Sequence, residues 1–294
     1  MLLSRQDGVV RLDQLREAGH DWNAVRRMLG HSLVPLGHST YRRCSPEPPT
    51  PRQLVRGALL AVPGSAACLS AAAIVHGLQG SRRPPPVHLL CPPSATRAQA
   101  GGVRLHWYGI AEEELTTVDG MAVTTIERTV FDLVRTSDQL GAVSVGDSAL
   151  HRQLLTVHEL AEVRDRLAAR ASTRARGCWL DRCDGRAESP LESRGRIILT
   201  DAGLPPDDLQ TPVERGAGRE PLRLDMSWSG PPRWGGEADG AEHHDPAPAV
   251  YADLDRMGEL GALGWPQILH YIWRDTLPHG IPGFLARFRA NIRP

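Results

Sequence analysis

The residues best suited to chemistry lie between Leu222 and His244, a stretch that reads LRLDMSWSGPPRWGGEADGAEHH. It places Asp225 in a short apolar run and Glu237 twelve residues later, beyond a Ser-Gly-Pro-Pro turn. Because Gly and Pro supply dihedral angles that strand residues avoid, this turn predicts a β-hairpin. Two carboxylates that face each other across a hairpin could bind a hard divalent cation such as Mg²⁺.

Further polar residues follow the hairpin. Asp239 alternates with Glu237 on one face of the strand, although its Asp-Gly sequence also fits an ordinary turn. His243 or His244 could move a proton, since an imidazole titrates near neutral pH, but both also fit a solvated loop. Asp253 and Arg256 are either an orienting pair or a helix-surface pair worth about a few tenths of a kcal/mol.

Glu192 is a candidate from an earlier helix. It lies three residues after Ser189, so a capping box could explain it without any chemical role. Asp225 is harder to explain structurally, because an unpaired charge in an apolar strand is costly. That cost favours a polar site at Asp225.

Composition limits the classes of function. The 294 residues carry no net charge, and all 34 basic residues other than histidine are arginine. Without lysine, no side-chain amine can act as a nucleophile or form a Schiff base. Five scattered cysteines without a CxxC pair predict reduced thiols. With no apolar run of about 18–20 residues and no signal-peptide core, we expect a cytoplasmic protein that does not insert into a membrane.

The first 43 residues predict a small DNA-binding head. LDQLREAG and WNAVRRML are short helix patterns separated by a Gly-containing turn, and Asp21 is expected to cap the second helix. The strand-like segment that follows ends at Arg42 and Arg43 and suits the wing of a winged helix. Arg26 and Arg27 could contact phosphates or guanine edges in the major groove. The alternative is an αα-hairpin without a DNA role.

The remaining chain predicts two further domains after a proline-rich linker over residues 44–52. Residues 53–185 predict a mixed α and β domain whose first helix opens at Ser65 and ends at Gly77, without a nucleophile elbow, an HExxH motif or a phosphate-binding glycine loop. Residues 186–294 predict the element order αβββαβα. The fold class is therefore α+β and multidomain.

Several ordered motifs resemble the AbiEi-type antitoxins of actinobacteria. They are GVVRLDQLREAG, the wing ending in TYRR, LSAAAIVHGL, VHLLCP and GMAVTTIERTVFDLVR, and together they cover about residues 5–180. The resemblance implies a winged helix-turn-helix head joined to an antitoxin domain, in a type IV toxin–antitoxin system. It also implies autorepression through double-stranded DNA and a cognate toxin of the nucleotidyltransferase class.

The C-terminal element order resembles the PD-(D/E)XK nuclease fold, and more narrowly its very-short-patch-repair-like branch. ESRGR, LRLDMSW, EADGAEHH, DLDR and LGW match that pattern in order. The resemblance implies that Asp225 and Glu237 are ligands of Mg²⁺ and that Glu192 supports them. Such an ion would polarise the scissile phosphate and lower the pKa of the attacking water.

The same resemblance assigns supporting roles and shows two departures. Arg196 belongs to the ESRGR motif. Asp239 stands where the superfamily usually has lysine, and the very-short-patch-repair-like branch uses histidine instead. Gly235 and Gly236 are expected to weaken the strand that leads to Glu237.

Three functions follow as hypotheses. The first is a DNA-binding regulator of the AbiEi antitoxin type with an appended nuclease-fold domain. The second is a Mg²⁺-dependent DNA endonuclease in defence or repair, targeted by the winged helix. The third is a toxin-neutralising scaffold with an inactive pocket. Enzymatic activity, the DNA sequence recognised and a homodimeric state are left open by the sequence.

Overall fold

The computed structural model describes residues 2–37, 39–80, 86–92, 102–216, 218–240 and 247–291. Helices and strands are mixed along the chain, and the described strands form three separate sheets. The chain divides into two units, residues 1–136 with 157–177 (unit 1) and residues 137–156 with 178–294 (unit 2). No helix in the described ranges is long and apolar enough to cross a membrane.

Unit 1 begins with a small α and β head. In chain order its elements are α1 (Leu2–Arg5), β1 (Val9–Arg11), α2 (Leu12–Glu17), α3 (Trp22–Met28), β2 (Leu33–Gly37) and β3 (Thr40–Arg43). The three strands form one antiparallel sheet in the order β1-β3-β2. Both predicted helices are present, and Leu15 and Val25 bury their apolar faces in the head core. The Asp21 carboxylate caps α3 by accepting from the amide of Ala24 at 2.6 Å.

The segment predicted as a linker up to residue 52 ends in a helix. Helix α4 (Pro51–Ala61) starts inside it, with Thr50 as the N-cap and proline at the first helical position, where its missing N–H costs nothing. Two arginines of α4 hold the head: Arg52 and Arg56 lie 3.2 and 2.8 Å from the Asp7 carboxylate. The head therefore packs on α4 rather than hanging from a flexible tether.

A five-stranded sheet forms the centre of unit 1. It has the order β6-β5-β4-β8-β7 and is accompanied by three further helices. These elements are β4 (Ala66–Ala67), α5 (Leu69–His76), β5 (Val87–Leu90), β6 (Val103–His106), β7 (Leu115–Val118), β8 (Met121–Thr124), α6 (Ile126–Thr136) and α8 (Val157–Ala168). Helix α7 (Gln139–His151), which lies between α6 and α8 in the sequence, belongs to unit 2.

The helix predicted to open at Ser65 begins four residues later. Ala66 and Ala67 pair with β5, and Ala67 also lies beside Val123 of β8, so this alanine pair is a strand inside the sheet. Pairing on both sides outweighs the helix preference of alanine, which is small per residue. The predicted end is correct, because Gly77 adopts a left-handed conformation there, with φ of +76°.

Unit 2 has the predicted element order αβββαβα after a preceding helix. Its elements are α7 (Gln139–His151), α10 (Pro190–Asp201), β9 (Asp208–Val213), β10 (Leu222–Trp228), β11 (Trp234–Asp239), α11 (Ala247–Ala262), β12 (Gln267–Ile272) and α12 (Ile281–Asn291), with α9 (Arg174–Leu180) at the division between the units. Strands β9, β10 and β11 are antiparallel, and β12 joins β11 in parallel.

A boundary at residues 185 and 186 does not coincide with this division. Helix α7, assigned from the sequence to the central domain, belongs to unit 2 because it packs on α10. The buried Asp147 of α7 accepts a hydrogen bond from Arg196 of α10 at 2.8 Å. This ion pair fixes the two helices to one another across 49 residues of sequence.

The glycines of β11 have a packing role beside the weakening of the strand that their type predicts. The strand lies between two others, β10 and β12, and the side chains of Ile268 and Trp228 pack where side chains at Gly235 and Gly236 would lie. A Cβ atom at Gly235 would lie 2.6 Å from Ile268 Cδ1 and one at Gly236 would lie 3.3 Å from the Trp228 ring, so either substitution would require these side chains to shift. The strand that carries Glu237 is therefore held on both sides.

Candidate functional site: an acidic cluster beside the β10–β11 hairpin

The hairpin brings the two predicted carboxylates to adjacent strands. Met226 pairs with Gly236, so one further step in the same register sets Asp225 opposite Glu237. The backbone pairing of β10 with β11 ends at Met226 and Gly236. Beyond it, the amide of Ala238 donates to the Asp225 side chain, at 2.7 Å from Oδ2. A backbone donor therefore holds one Asp225 oxygen in place.

Glu192 adds a third carboxylate from α10. Ser189 Oγ accepts from the Glu192 amide at 3.2 Å, which is half of a capping box. The Glu192 carboxylate does not return a bond to Ser189; it accepts from the amide of Glu188 at 2.9 Å and from Gln210 Nε2 at 2.7 Å. The helix cap thus explains why the backbone of Glu192 lies at the start of α10. It does not explain why the Glu192 carboxylate points toward Gln210.

The three carboxylates share a poorly hydrated environment. Burial raises the pKa of Glu192 from 4.5 to about 6, and the negative charge of Asp225 adds to that rise. Burial also raises the pKa of Asp225 and that of Glu237, and Asp225 contributes to the rise at Glu237. Tyr271, fully buried, has a pKa far above its usual value because of burial and the nearby charge of Asp225. Mutual repulsion of this kind is frequent where carboxylates are gathered for function.

Among the described residues, Arg256 of α11 is a cation that hydrogen-bonds to the cluster. Its Nη2 donates to Glu237 Oε1 at 2.8 Å and to the carbonyl of Arg223 at 2.7 Å. The charge of Arg256 lowers the pKa of both Asp225 and Glu237 and so offsets part of the effect of burial. The expected partner of Arg256, Asp253, has a side chain outside the part of the chain that the structure describes.

His270 joins the site although the sequence did not single it out. It pairs with Glu237 in the parallel register of β12 and β11, and its Nδ1 lies 3.2 Å from the Asp239 carboxylate. No local signal in PQILHYIW marks this histidine, because only the parallel crossover brings it to the site. His243 and His244 lie outside the described residues.

Arg196 does not belong to the cluster. Although it follows Glu192 by one helical turn, its guanidinium donates to the buried Asp147 and, at 2.9 Å, to the carbonyl of Arg182. The contacts of its guanidinium are therefore with Asp147 and the Arg182 carbonyl rather than with the carboxylates of the cluster.

The donor set fits a hard cation only in part. Asp225 and Glu237 offer carboxylate oxygens, and the Oε1 atom of Gln210 is buried without a hydrogen-bond partner. Mg²⁺ is commonly held by one or two carboxylates and several waters, so two such ligands are sufficient in number. Among the described residues, however, no group of three or more His, Cys, Asp or Glu side chains could hold a metal ion. An ion here would share Glu237 with Arg256.

The head carries the second set of candidate residues. Arg26 and Arg27 lie in the last turn of α3, are exposed, and have no acidic partner in the described ranges. Arg43 of β3 is also exposed. Arg42 is partly buried, and its Nη2 donates to the carbonyl of Glu47 at 2.9 Å. Three of these four arginines are thus available to a ligand.

Comparison with known proteins identifies the class. Residues 65–179 match the family model of the AbiEi antitoxin C-terminal domain. The chain is 30% identical over 199 residues to two Mycobacterium tuberculosis proteins, uncharacterized protein MT2308 and uncharacterized protein Rv2248. These alignments cover 68% of this chain and 71% of each relative. A crystal structure of the RV2827C protein from M. tuberculosis superposes with a TM-score of 0.38 and 17% identity, over 72% of this chain and 81% of that one.

The family match supports a toxin–antitoxin-related regulator. Residues 65–179 carry the AbiEi antitoxin C-terminal domain, which confirms that part of the predicted resemblance. The matched region ends at residue 179, before α10 and the acidic cluster. The family match therefore assigns no chemistry to the cluster.

Proposed function

We propose that the protein is a DNA-binding transcriptional regulator of the antitoxin type, with a winged helix-turn-helix head. The observation that carries this proposal is the order α2, α3, β2, β3 on one three-stranded sheet, with Arg26 and Arg27 exposed at the end of α3. In winged helices the second helix of the motif enters the major groove and the hairpin contacts the flanking backbone. Arg43 on the hairpin suits a contact of that second kind.

Charge supports the same assignment. Residues 1–43 carry seven arginines against four acids. Two of the acids are already occupied, since Asp7 is held by α4 and Asp21 caps α3. The positive charge of α3 is therefore free to act on phosphates, which gives binding a strong dependence on salt.

The test is binding of the purified chain to the DNA upstream of its own gene. We expect a specific complex at low salt, and a loss of affinity of at least tenfold in Arg26→Ala/Arg27→Ala. The slope of log K against log salt should fall by about 0.9 for each phosphate contact removed. Arg152→Ala, which removes an exposed arginine of unit 2, is the matched control. Failure of the unaltered protein to bind that DNA at low salt would overturn the proposal.

A second candidate function, a Mg²⁺-dependent DNA endonuclease on a PD-(D/E)XK-like fold, is favoured by the acidic cluster. Asp225 and Glu237 would hold the ion, which would polarise the scissile phosphate when bound. Glu192, with its pKa near 6, could accept a proton from water close to neutral pH. Arg256 would orient Glu237.

Cleavage assays with Mg²⁺ or Mn²⁺ test the second candidate. We expect activity in the unaltered protein and in Glu259→Gln, and none in Asp225→Ala or Glu237→Ala. Activity that survives both alanine substitutions would place the chemistry elsewhere. Without cleavage in the unaltered protein, unit 2 would instead be an inactive scaffold for neutralising a toxin.

The partner proposed for either version of the regulator is a nucleotidyltransferase-type toxin. The match to the AbiEi antitoxin family supports it. Co-expression provides the test: growth arrest by a toxin encoded beside this gene should be relieved by the full chain. Arrest that continues despite expression of this protein would exclude that toxin as its partner.

A further inference from the structure

A polar cavity of about 530 Å³ lies at the end of β12 in unit 2. It is formed by the last residues of β11 and β12, the turn that follows β12, and the first two turns of α12. Its volume lies in the range of about 300–1,000 Å³ that is usual for small-ligand sites. Its basic lining residues are His270, Arg274, His279 and Arg287.

The two acids of the cavity are already engaged. The Asp239 carboxylate lies 3.2 Å from His270. Asp275 Oδ2 lies 3.0 Å from Arg287 Nη2 and accepts from the amide of Ile272 at 3.0 Å. The acids thus hold His270 and Arg287 in place.

Arg274 and His279 differ from that pair. Both are exposed, and neither side chain has an acidic partner in the part of the chain that the structure describes. The turn that carries them is tightly folded: a side-chain carbon at Gly280 would overlap the carbonyl of Arg274. A fixed turn therefore presents one unpaired guanidinium and one imidazole to the same space.

We propose that this cavity binds a phosphate group of a nucleic-acid strand. A guanidinium recognises phosphate oxygens with two parallel N–H donors, and Arg274 is the side chain free to do so. Arg287 and His279 add donors from the other walls. The assignment to a nucleic acid, rather than to free phosphate, rests on the second candidate function.

The position of the cavity supports that choice of ligand. Asp239, which lines it, lies two residues beyond Glu237 on the same face of β11. His270, which also lines it, is the direct neighbour of Glu237 on β12. A nucleic-acid strand with one phosphate group in the cavity would therefore continue past the acidic cluster.

The test uses the full chain with the head disabled by Arg26→Ala/Arg27→Ala. Fluorescence anisotropy with a short labelled oligonucleotide is compared with calorimetry using inorganic phosphate. We expect Arg274→Ala to weaken oligonucleotide binding about tenfold and to lower the salt slope by about 0.9, as for one lost phosphate contact. Arg274→Lys should recover part of the affinity. Arg289→Ala, an exposed arginine of α12 outside the cavity lining, should change neither quantity.

Thermal unfolding of two variants separates a loss of binding from a loss of folding. Arg287→Ala also removes the partner of Asp275, so its thermal unfolding is measured beside that of Arg274→Ala, which breaks no side-chain hydrogen bond or ion pair within the described residues. Unchanged affinity and salt slope in Arg274→Ala overturn the proposal. Arg274-dependent binding of inorganic phosphate without oligonucleotide binding overturns the nucleic-acid assignment. Neither result bears on regulation, because promoter binding is measured with the head intact.

Discussion

Replacing Glu192 with glutamine is expected to stabilise unit 2 at neutral pH. Glu192 is only 8% exposed, and its pKa rises from 4.5 to about 6 through burial and the charge of Asp225. Glutamine has nearly the same shape. Its carbonyl oxygen can still accept from the Glu188 amide and from Gln210, which now bind one oxygen of Glu192.

The sign follows from the direction of the pKa change. A carboxylate whose pKa is raised on folding favours the folded state when it is protonated. This contribution is fully present below about pH 4.5 and is lost as the pH rises through about 6. A pKa difference of about 1.5 corresponds to about 2 kcal/mol. The uncharged variant should therefore be about 2 kcal/mol more stable than the natural protein at pH 7 to 8.

Urea denaturation at a series of pH values measures this difference. Trp228, Trp234 and Trp265 are buried in unit 2, so tryptophan fluorescence reports its unfolding. Glu214→Gln, which neutralises an exposed glutamate of the same unit, should change little at any pH. The reasoning is refuted if the gap between Glu192→Gln and the natural protein fails to widen between pH 4.5 and 7.

Three further substitutions test the structure. Arg196→Ala leaves the buried Asp147 carboxylate without its cation, so chemical denaturation of unit 2 should show a loss of about 3–5 kcal/mol. Gly195→Ala places a methyl group against the Tyr271 ring, and thermal unfolding should show a loss of about 1–3 kcal/mol in stability from overpacking. Asp21→Ala removes the cap of α3, and we expect unit 1 to lose about 1 kcal/mol in denaturation, with weaker DNA binding.

Each of these substitutions has a contrary outcome. A loss below about 1 kcal/mol in Arg196→Ala would mean that water replaces the guanidinium, in which case Asp147 is not truly desolvated. Gly258→Ala, at an open position of α11, should be neutral or stabilising. If Gly195→Ala behaves in the same way, Tyr271 does not pack as described. If Asp21→Ala destabilises α3 but binds DNA with full affinity, α3 is not the helix that recognises DNA.

The parts of the fold that depend on neighbouring residues were predictable. The turn after Trp228 specified the hairpin, and the spacing of Asp225 and Glu237 matched its register, because a two-residue period and a turn suffice to set that pairing. Ser189 and Asp21 marked helix starts for the same local reason.

The parts that depend on distant residues were not. Arg196 follows Glu192 at helical spacing, yet a buried acid 49 residues earlier in the chain binds it. Local spacing places two side chains on one helix face but does not say which distant partner competes for them. His270 and β4 were missed likewise, since both are defined by strand pairings across long loops.

Unit 2 is built from two separate segments of the chain, which limits where the protein can be truncated. Residues 137–156 belong with the C-terminal unit, although they lie inside the segment that matches the antitoxin family model. Deleting everything after residue 185 would remove α10 and leave Asp147 and the apolar residues of α7 facing water. A truncated gene product of that kind should aggregate or be degraded, and its failure to neutralise a toxin would be no measure of the acidic cluster. A loss-of-function screen here is informative only with point substitutions.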